Sequence, residues 1–240
     1  MTFEFRSSQF FAAVQPGFEV SLESEIQARW KNIHVQESLA GWRRFECSSQ
    51  QFSISLSELA QSPSIFSKSW GLVLKDESKG DATTRIWEDP QYRILFSEPF
   101  VLQCWSRREF LPGVREKRTV PIDVELREAS LRKVLESTEL PLLQEKTPSR
   151  PGTLVLNCIR LTPTNWVWAV HRHSEDRIAF PGGEFPWPVY EIPSRAYVKC
   201  QEALAWSQVP LRAGQSVVEL GCSPGGSLLA LVERGLQLTG

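Results

Sequence analysis

With 240 residues, 41% of them hydrophobic, and nine tryptophans, the chain can bury a substantial core, and its length suits one large or two modest domains. Lys and Arg number 27 against 28 Asp and Glu, so a net charge of −1 gives no whole-chain argument for nucleic acid. No run approaches the roughly 20 apolar residues of a membrane span, and the start MTFEFRSSQFF lacks the layout of a signal peptide, which leaves the cytoplasm as the default and no membrane among the expected partners.

Phe10 to Val14 predicts a short strand, Pro16-Gly17 its turn, and Phe18 to Trp30 a helix with Leu22, Ile26 and Trp30 on one face. GWRRFECS predicts another strand, ISLSELAQ a short helix, and WGLVLK a strand that closes a small α+β unit over residues 1–75. The polar stretch 76–95 opens a second α+β unit over 76–177: a β-like run RILFSEPFVLQCWS, a helix from Val124 to Ser137, and two strands in TPSRPGTLVLNCIRL and TNWVWAVHRH. Between them, WSRREFLPGVREKR carries Arg107, Arg108, Arg115, Lys117 and Arg118, a basic stretch able to meet phosphates. Read without a family, it is better taken as a solvated loop or strand edge.

IAFPGGEFPWPVYEIP is too rich in Pro and Gly for regular helix and predicts an extended connector into residues 178–240. There the chain changes character. SRAYVKCQEALAW predicts a helix with Ser194 accepting from early N–H groups, SVVELG a buried strand, LLALVERG a helix ended by Gly235, and LQLTG a further strand. Cys47, Cys104, Cys158, Cys200 and Cys222 are odd in number and contain no CxxC pair, so neither a disulfide framework nor a zinc site is expected. His34, His171 and His173 read as structural or exposed, with no third ligand for a metal.

Two features carry chemistry. SVVELGCSPGGSLLALVERG is a strand, a glycine-bearing turn and a helix, the arrangement that brings backbone N–H groups against a ligand; Cys222-Ser223-Pro224 in its middle departs from GxGxxG and argues against a plain dinucleotide site. An ordinary strand-to-helix turn is the competing reading. The second feature is Lys199: a ribose 2'-hydroxyl is a poor nucleophile, and a lysine can orient it and take its proton, although a lysine on a helix is far more often a solvated surface group.

QPGFEVSLESEI, PSIFSKSW, REKRTVPIDVELREASLR, TPSRPGTLVLNCI, IPSRAYVKCQEA and VVELGCSPGGSLLALV, in this order and spacing, resemble the bacterial RlmM-type 23S ribosomal RNA cytidine 2'-O-ribose methyltransferases. The resemblance implies an N-terminal ferredoxin-like α+β unit, a THUMP-like RNA-binding domain, and the opening of an FtsJ-like, Rossmann-like α/β methyltransferase domain that uses S-adenosyl-L-methionine. It implies that Ser223, Pro224, Gly225 and Gly226 form the cofactor turn, that Glu219, Gly221 and Cys222 lie at the strand end beneath the methionine moiety, and that Ala196 serves through its backbone. Lys199 matches the first lysine of a lysine–aspartate–lysine catalytic set. Arg107, Arg108, Arg115, Lys117, Arg118 and Arg195 become candidates for holding ribosomal RNA. The resemblance further implies that the rest of the active site lies beyond Gly240, so that the chain as given does not transfer methyl groups. Two alternatives stay open: an RNA-binding module without catalysis, and a small-molecule methyltransferase, which about 180 preceding residues disfavour.

Overall fold

The computed structural model describes residues 4–49, 52–62, 64–78, 85–107, 120–145, 147–148, 150–175, 177–185, 192–207 and 209–239, and the chain divides into two compact units, Met1–Gly183 and Glu184–Gly240. The first unit runs β1 (Arg6–Ser7), β2 (Gln9–Val14), α1 (Glu19–Arg29), β3 (Ile33–Leu39), β4 (Trp42–Cys47), β5 (Ile54–Ser55), α2 (Leu56–Gln61), β6 (Ser67–Ser78), β7 (Phe100–Ser106), α3 (Ile122–Glu136), β8 (Leu154–Arg160) and β9 (Asn165–Arg172). Seven of these strands form one mixed sheet in the order β3-β4-β2-β6-β9-β8-β7, in which β7 and β8 pair parallel and every other neighbour antiparallel. The 12-residue β6 joins the two halves: it pairs with β2 on one side and β9 on the other, so the elements expected in residues 1–75 and 76–177 share a single sheet.

Local chemistry accounts for most boundaries. Ser55 caps α2 through a capping box, its hydroxyl accepting from the Glu58 N–H at 3.1 Å while the Glu58 carboxylate accepts from the Ser55 N–H at 2.8 Å. One strand was not anticipated, and one expectation needs correction. Ile33–Leu39, which carries His34, Gln36, Glu37 and Ser38, is too polar to stand out by hydrophobicity, yet it alternates buried or half-buried with exposed positions as the edge strand of the sheet. The β-like run from Arg93 is a strand only from Phe100; before it Leu95–Ser97 makes a 3-10 turn, with the Leu95 N–H bonded back to the Tyr92 carbonyl.

One face of the sheet carries the larger core: Phe10, Phe45, Leu72, Trp168 and Val170 pack with Leu22 and Ile26 of α1, Leu56 and Leu59 of α2, and Val124, Leu131 and Leu135 of α3. The other face gathers Phe11, Ala13, Trp42, Val73, Trp105, Ile159, Leu161, Val167 and Ala169. Trp42 lies on the second strand of the sheet order and Trp105 on the seventh, five spacings of about 4.8 Å or about 24 Å apart in a flat sheet. Their rings are nevertheless 6.2 Å apart, with Phe11 stacked on Trp42 at 4.6 Å. The sheet therefore curls around these aromatics. Arg107, just past β7, fastens the curl by donating to the Leu161 carbonyl at 3.1 Å and to the Ala40 carbonyl at 3.0 Å.

Glu77, only 2% exposed, is paired with Arg127 of α3 and accepts from the Trp168 indole N–H at 2.6 Å. Burying a carboxylate is costly unless it is paired and hydrogen-bonded, so this triad ties α3 to the middle of the sheet. Cys104 and Cys158 face each other in register on β7 and β8, and a hydrogen bond between them, together with burial, pushes the Cys104 thiol up. All five cysteines are free thiols.

Asn157 accepts from the Trp105 indole N–H at 3.0 Å, which leaves its amide nitrogen to donate to His171 Nδ1 at 2.9 Å. Burial, reinforced by His173 and Arg177, lowers His171 from 6.5 to about 3. Between those two values the unfolded chain binds a proton that the folded chain refuses, so His171 makes stability fall as pH drops from about 6.5 towards about 3 and has no effect above. Urea denaturation of His171→Gln against pH should show this part of the slope removed. Arg127→Met, which strands Glu77, should destabilise the first unit by about 3 kcal/mol, seen as a lower urea midpoint.

Candidate functional site

The second unit contains α4 (Ala196–Ser207), β10 (Ser216–Val218), α5 (Gly226–Val232) and β11 (Gln237–Thr239), with β10 and β11 paired parallel from Ser216↔Gln237 to Val218↔Thr239. The β-branched Val217 and Val218 favour the strand, and its hydrogen bonding runs on to Glu219, whose N–H donates to the Thr239 carbonyl at 3.2 Å. The strand is not buried as expected: β11 pairs with it along one edge, but Val218 and Leu220 are exposed, because among the described residues nothing covers that face. After Gly221 the chain turns through Cys222, Ser223 and Pro224; the Gly225 N–H closes the turn on the Cys222 carbonyl at 2.5 Å, and α5 starts at the next residue. At the far end Gly235 closes α5: its N–H donates to the Val232 carbonyl at 2.8 Å and the Leu236 N–H to the Leu231 carbonyl at 3.4 Å, as a Schellman motif requires.

The three glycines of the turn are there for two different reasons. Gly221 and Gly225 take φ of 78° and 91°, which a side chain resists, while a Cβ on either would meet nothing within 4 Å. Gly226 has ordinary helical backbone, but a Cβ there would lie 2.2 Å from the Ser194 hydroxyl oxygen and 2.8 Å from the Tyr197 backbone nitrogen. Within the chain, then, Gly226 serves helix packing: its bare backbone lets the start of α5 sit against the start of α4. Ser194 accepts from the Ala196 N–H at 3.3 Å, in the capping role its position suggests. The structure thus brings Ala196 and Gly226 together, as one site would need.

Glu219 lies at the end of β10, partly exposed, yet its Oε2 is buried and has no hydrogen-bond partner among the described residues. Burial pushes the Cys200 thiol of α4 up, an effect opposed by Arg234 and reinforced by Glu219, so these three groups share one electrostatic neighbourhood. Lys199 is exposed on α4 and makes no ion pair among the described residues; Arg195, one turn earlier and joined to it by the Lys199 N–H to Arg195 carbonyl bond at 3.2 Å, is also exposed. Cys222 is half-buried and Ser223 and Pro224 are exposed, so the outer side of the turn is open to solvent.

Of the expected RNA-contacting cations of the first unit, Arg107 is committed to the two carbonyls that fasten the sheet, and Arg108, Arg115, Lys117 and Arg118 lie outside the described residues. Among the described residues no three His, Cys, Asp or Glu side chains are grouped to hold a metal ion, and no helix is long and apolar enough to cross a membrane. Sequence reading did not anticipate the bond from the Tyr197 hydroxyl to Glu233 Oε2 at 2.6 Å, which links α4 to the end of α5. The two residues stand 36 apart, and no pattern in the sequence marks the pair.

No protein-family model matches the chain, and no curated protein matches it. Among solved structures it is similar to TrmN from Thermus thermophilus, at 13% identity over 98% of this chain and 64% of that one, with a TM-score of 0.41. It is also similar to a possible methylase from Clostridium difficile 630, at 12% identity over 96% and 56% with a TM-score of 0.40, and to SMU.472, a candidate methyltransferase complexed with SAH, at 11% identity over 98% and 56% with a TM-score of 0.40. The chain spans 56% to 64% of the length of these structures.

Gly226→Ala should loosen the second unit by about 1–3 kcal/mol, because the Ser194 hydroxyl can rotate away but the Tyr197 backbone nitrogen cannot. Chemical denaturation should show it, and adding Ser194→Ala should restore only part of the loss.

Proposed function

We propose that the second unit holds S-adenosyl-L-methionine at the bend from Glu219 to Gly226, and that the protein methylates a ribose 2'-hydroxyl of ribosomal RNA of the 23S type. The observation that carries the reading is the Glu219 Oε2, buried and without a hydrogen-bond partner among the described residues, at the start of a glycine turn whose Gly221 and Gly225 face open space. A buried carboxylate oxygen without a donor is costly, and a ligand bearing an ammonium group and a sulfonium charge supplies both a donor and a compensating cation. The turn answers the same ligand from the other side: Gly221 and Gly225 leave open space where side chains would crowd it. The family resemblance of the segments around Lys199 and Gly221 points to the same chemistry.

When bound, the cofactor would supply an electrophilic methyl group. Gly221, Cys222, Ser223, Pro224, Gly225 and Gly226 would shape its pocket, with Ala196 contributing backbone from α4. Lys199, exposed on the same helix, would orient the ribose hydroxyl and take its proton, while Arg195 one turn earlier would meet phosphate. Arg108, Arg115, Lys117 and Arg118 remain the proposed RNA-holding cations of the first unit; Arg107 would act through the sheet it fastens.

Calorimetric titration of S-adenosyl-L-methionine into the 240-residue chain should show saturable binding, weakened about tenfold by Glu219→Gln, the loss of one charge-assisted hydrogen bond of about 1.4 kcal/mol. No binding by the wild-type chain would overturn the reading. If RNA binding persisted without it, the protein would be an RNA-binding module without catalysis.

A further inference from the structure

Among the described residues, two close approaches mark the two ends of the packing of α5 on α4. At the start of α5, Gly226 sits so close to α4 that a Cβ on it would meet Ser194, the Tyr197 backbone nitrogen and Ala196. Just past its end, Glu233 accepts from the Tyr197 hydroxyl at 2.6 Å. The seven residues of α5 span about 10 Å at 1.5 Å each, so one tyrosine reaches both ends: its backbone meets the first residue and its phenol meets the residue after the last. Between the two, Tyr197 packs in one small cluster with Ala230 of α5 and Val198 of α4, and it is only 5% exposed. A buried phenol bonded to a carboxylate is directional in a way that apolar packing is not.

Among the described residues the middle of the turn shows no side-chain tether of this kind. A Cβ on Gly221 or Gly225 would meet nothing within 4 Å, and Gly225 is held by backbone bonds alone, its N–H to the Cys222 carbonyl and its carbonyl to the Leu229 N–H. The Glu219 end is set by the pairing of β10 with β11, and the Gly225–Gly226 end, on the side of α4 and Lys199, by how α5 is seated. We infer that Tyr197 and Glu233 are positioning residues for the turn: they touch no ligand and act by fixing α5, and with it the Gly225–Gly226 end of the bend, on the helix that carries Lys199. The inference rests on the ligand-binding reading above only for its effect on affinity; the effect on the turn itself is independent of any ligand.

Tyr197→Phe removes the hydroxyl and keeps the ring. In hydrogen exchange on the full chain, the Gly225 and Leu229 amides, bonded to the Cys222 and Gly225 carbonyls, should exchange about tenfold faster in this variant. The amides of β10 and β11 should be unchanged, and Glu233→Gln alone, which keeps an acceptor oxygen for the Tyr197 hydroxyl, should retain most of the protection. Unchanged exchange at Gly225 and Leu229, or equal acceleration throughout the second unit, would overturn the inference by reducing the pair to general stability. Titration of S-adenosyl-L-methionine should show about tenfold weaker binding by Tyr197→Phe, and equal affinity would also overturn it. If the wild-type chain bound none, the proposed function would fall while the exchange result still decided this point.

Discussion

The missing side chain at position 226 is the constraint on which the second unit is built. Two helix starts can meet there only if one of them offers bare backbone, and the 2.8 Å from a notional Cβ to the Tyr197 nitrogen leaves no room for even a methyl group. That approach places Ala196 beside the turn, whose Gly221 and Gly225 face open space, while at its other end Glu219 has an oxygen shut away from water and without a donor among the described residues. Glycine here has a different purpose from its neighbours Gly221 and Gly225, whose φ values are what exclude a side chain.

The first unit solves a different problem. A seven-stranded sheet with apolar residues on both faces needs cover on both. Helices α1, α2 and α3 cover one face. The other is buried largely by the sheet itself, which curls until Trp42 and Trp105 meet, with Arg107 holding the rim. The Glu77–Arg127–Trp168 cluster then fixes α3 to the convex side at a point where a misplaced charge would be costly.

Much of this was legible in the sequence where periodicity was strong. β2, α1, β4, α3, β8 and β9 all lie where apolar spacing put them, and Gly235 ends α5 as expected. β3 was illegible because an edge strand need bury only alternate positions and can be otherwise polar. At the site, the glycine turn and Ser194 could be read from residue type, since both act through their own backbone or a neighbour's. The Tyr197–Glu233 bond and the orphaned Glu219 oxygen could not, because each depends on which residues distant in sequence fold against one another. The committed guanidinium of Arg107 was hidden for the same reason: a basic run looks alike whether it faces phosphate or caps carbonyls.

The continuity of the first sheet also bears on how the protein can be divided. β6 donates and accepts along both of its edges, to β2 and to β9. Severing the chain in the stretch between β6 and the 3-10 turn at Ile86 would leave each fragment with a long border of unanswered amides and carbonyls. Such borders pair with whatever strand they meet, including copies of themselves, so separately expressed halves should precipitate unless reunited.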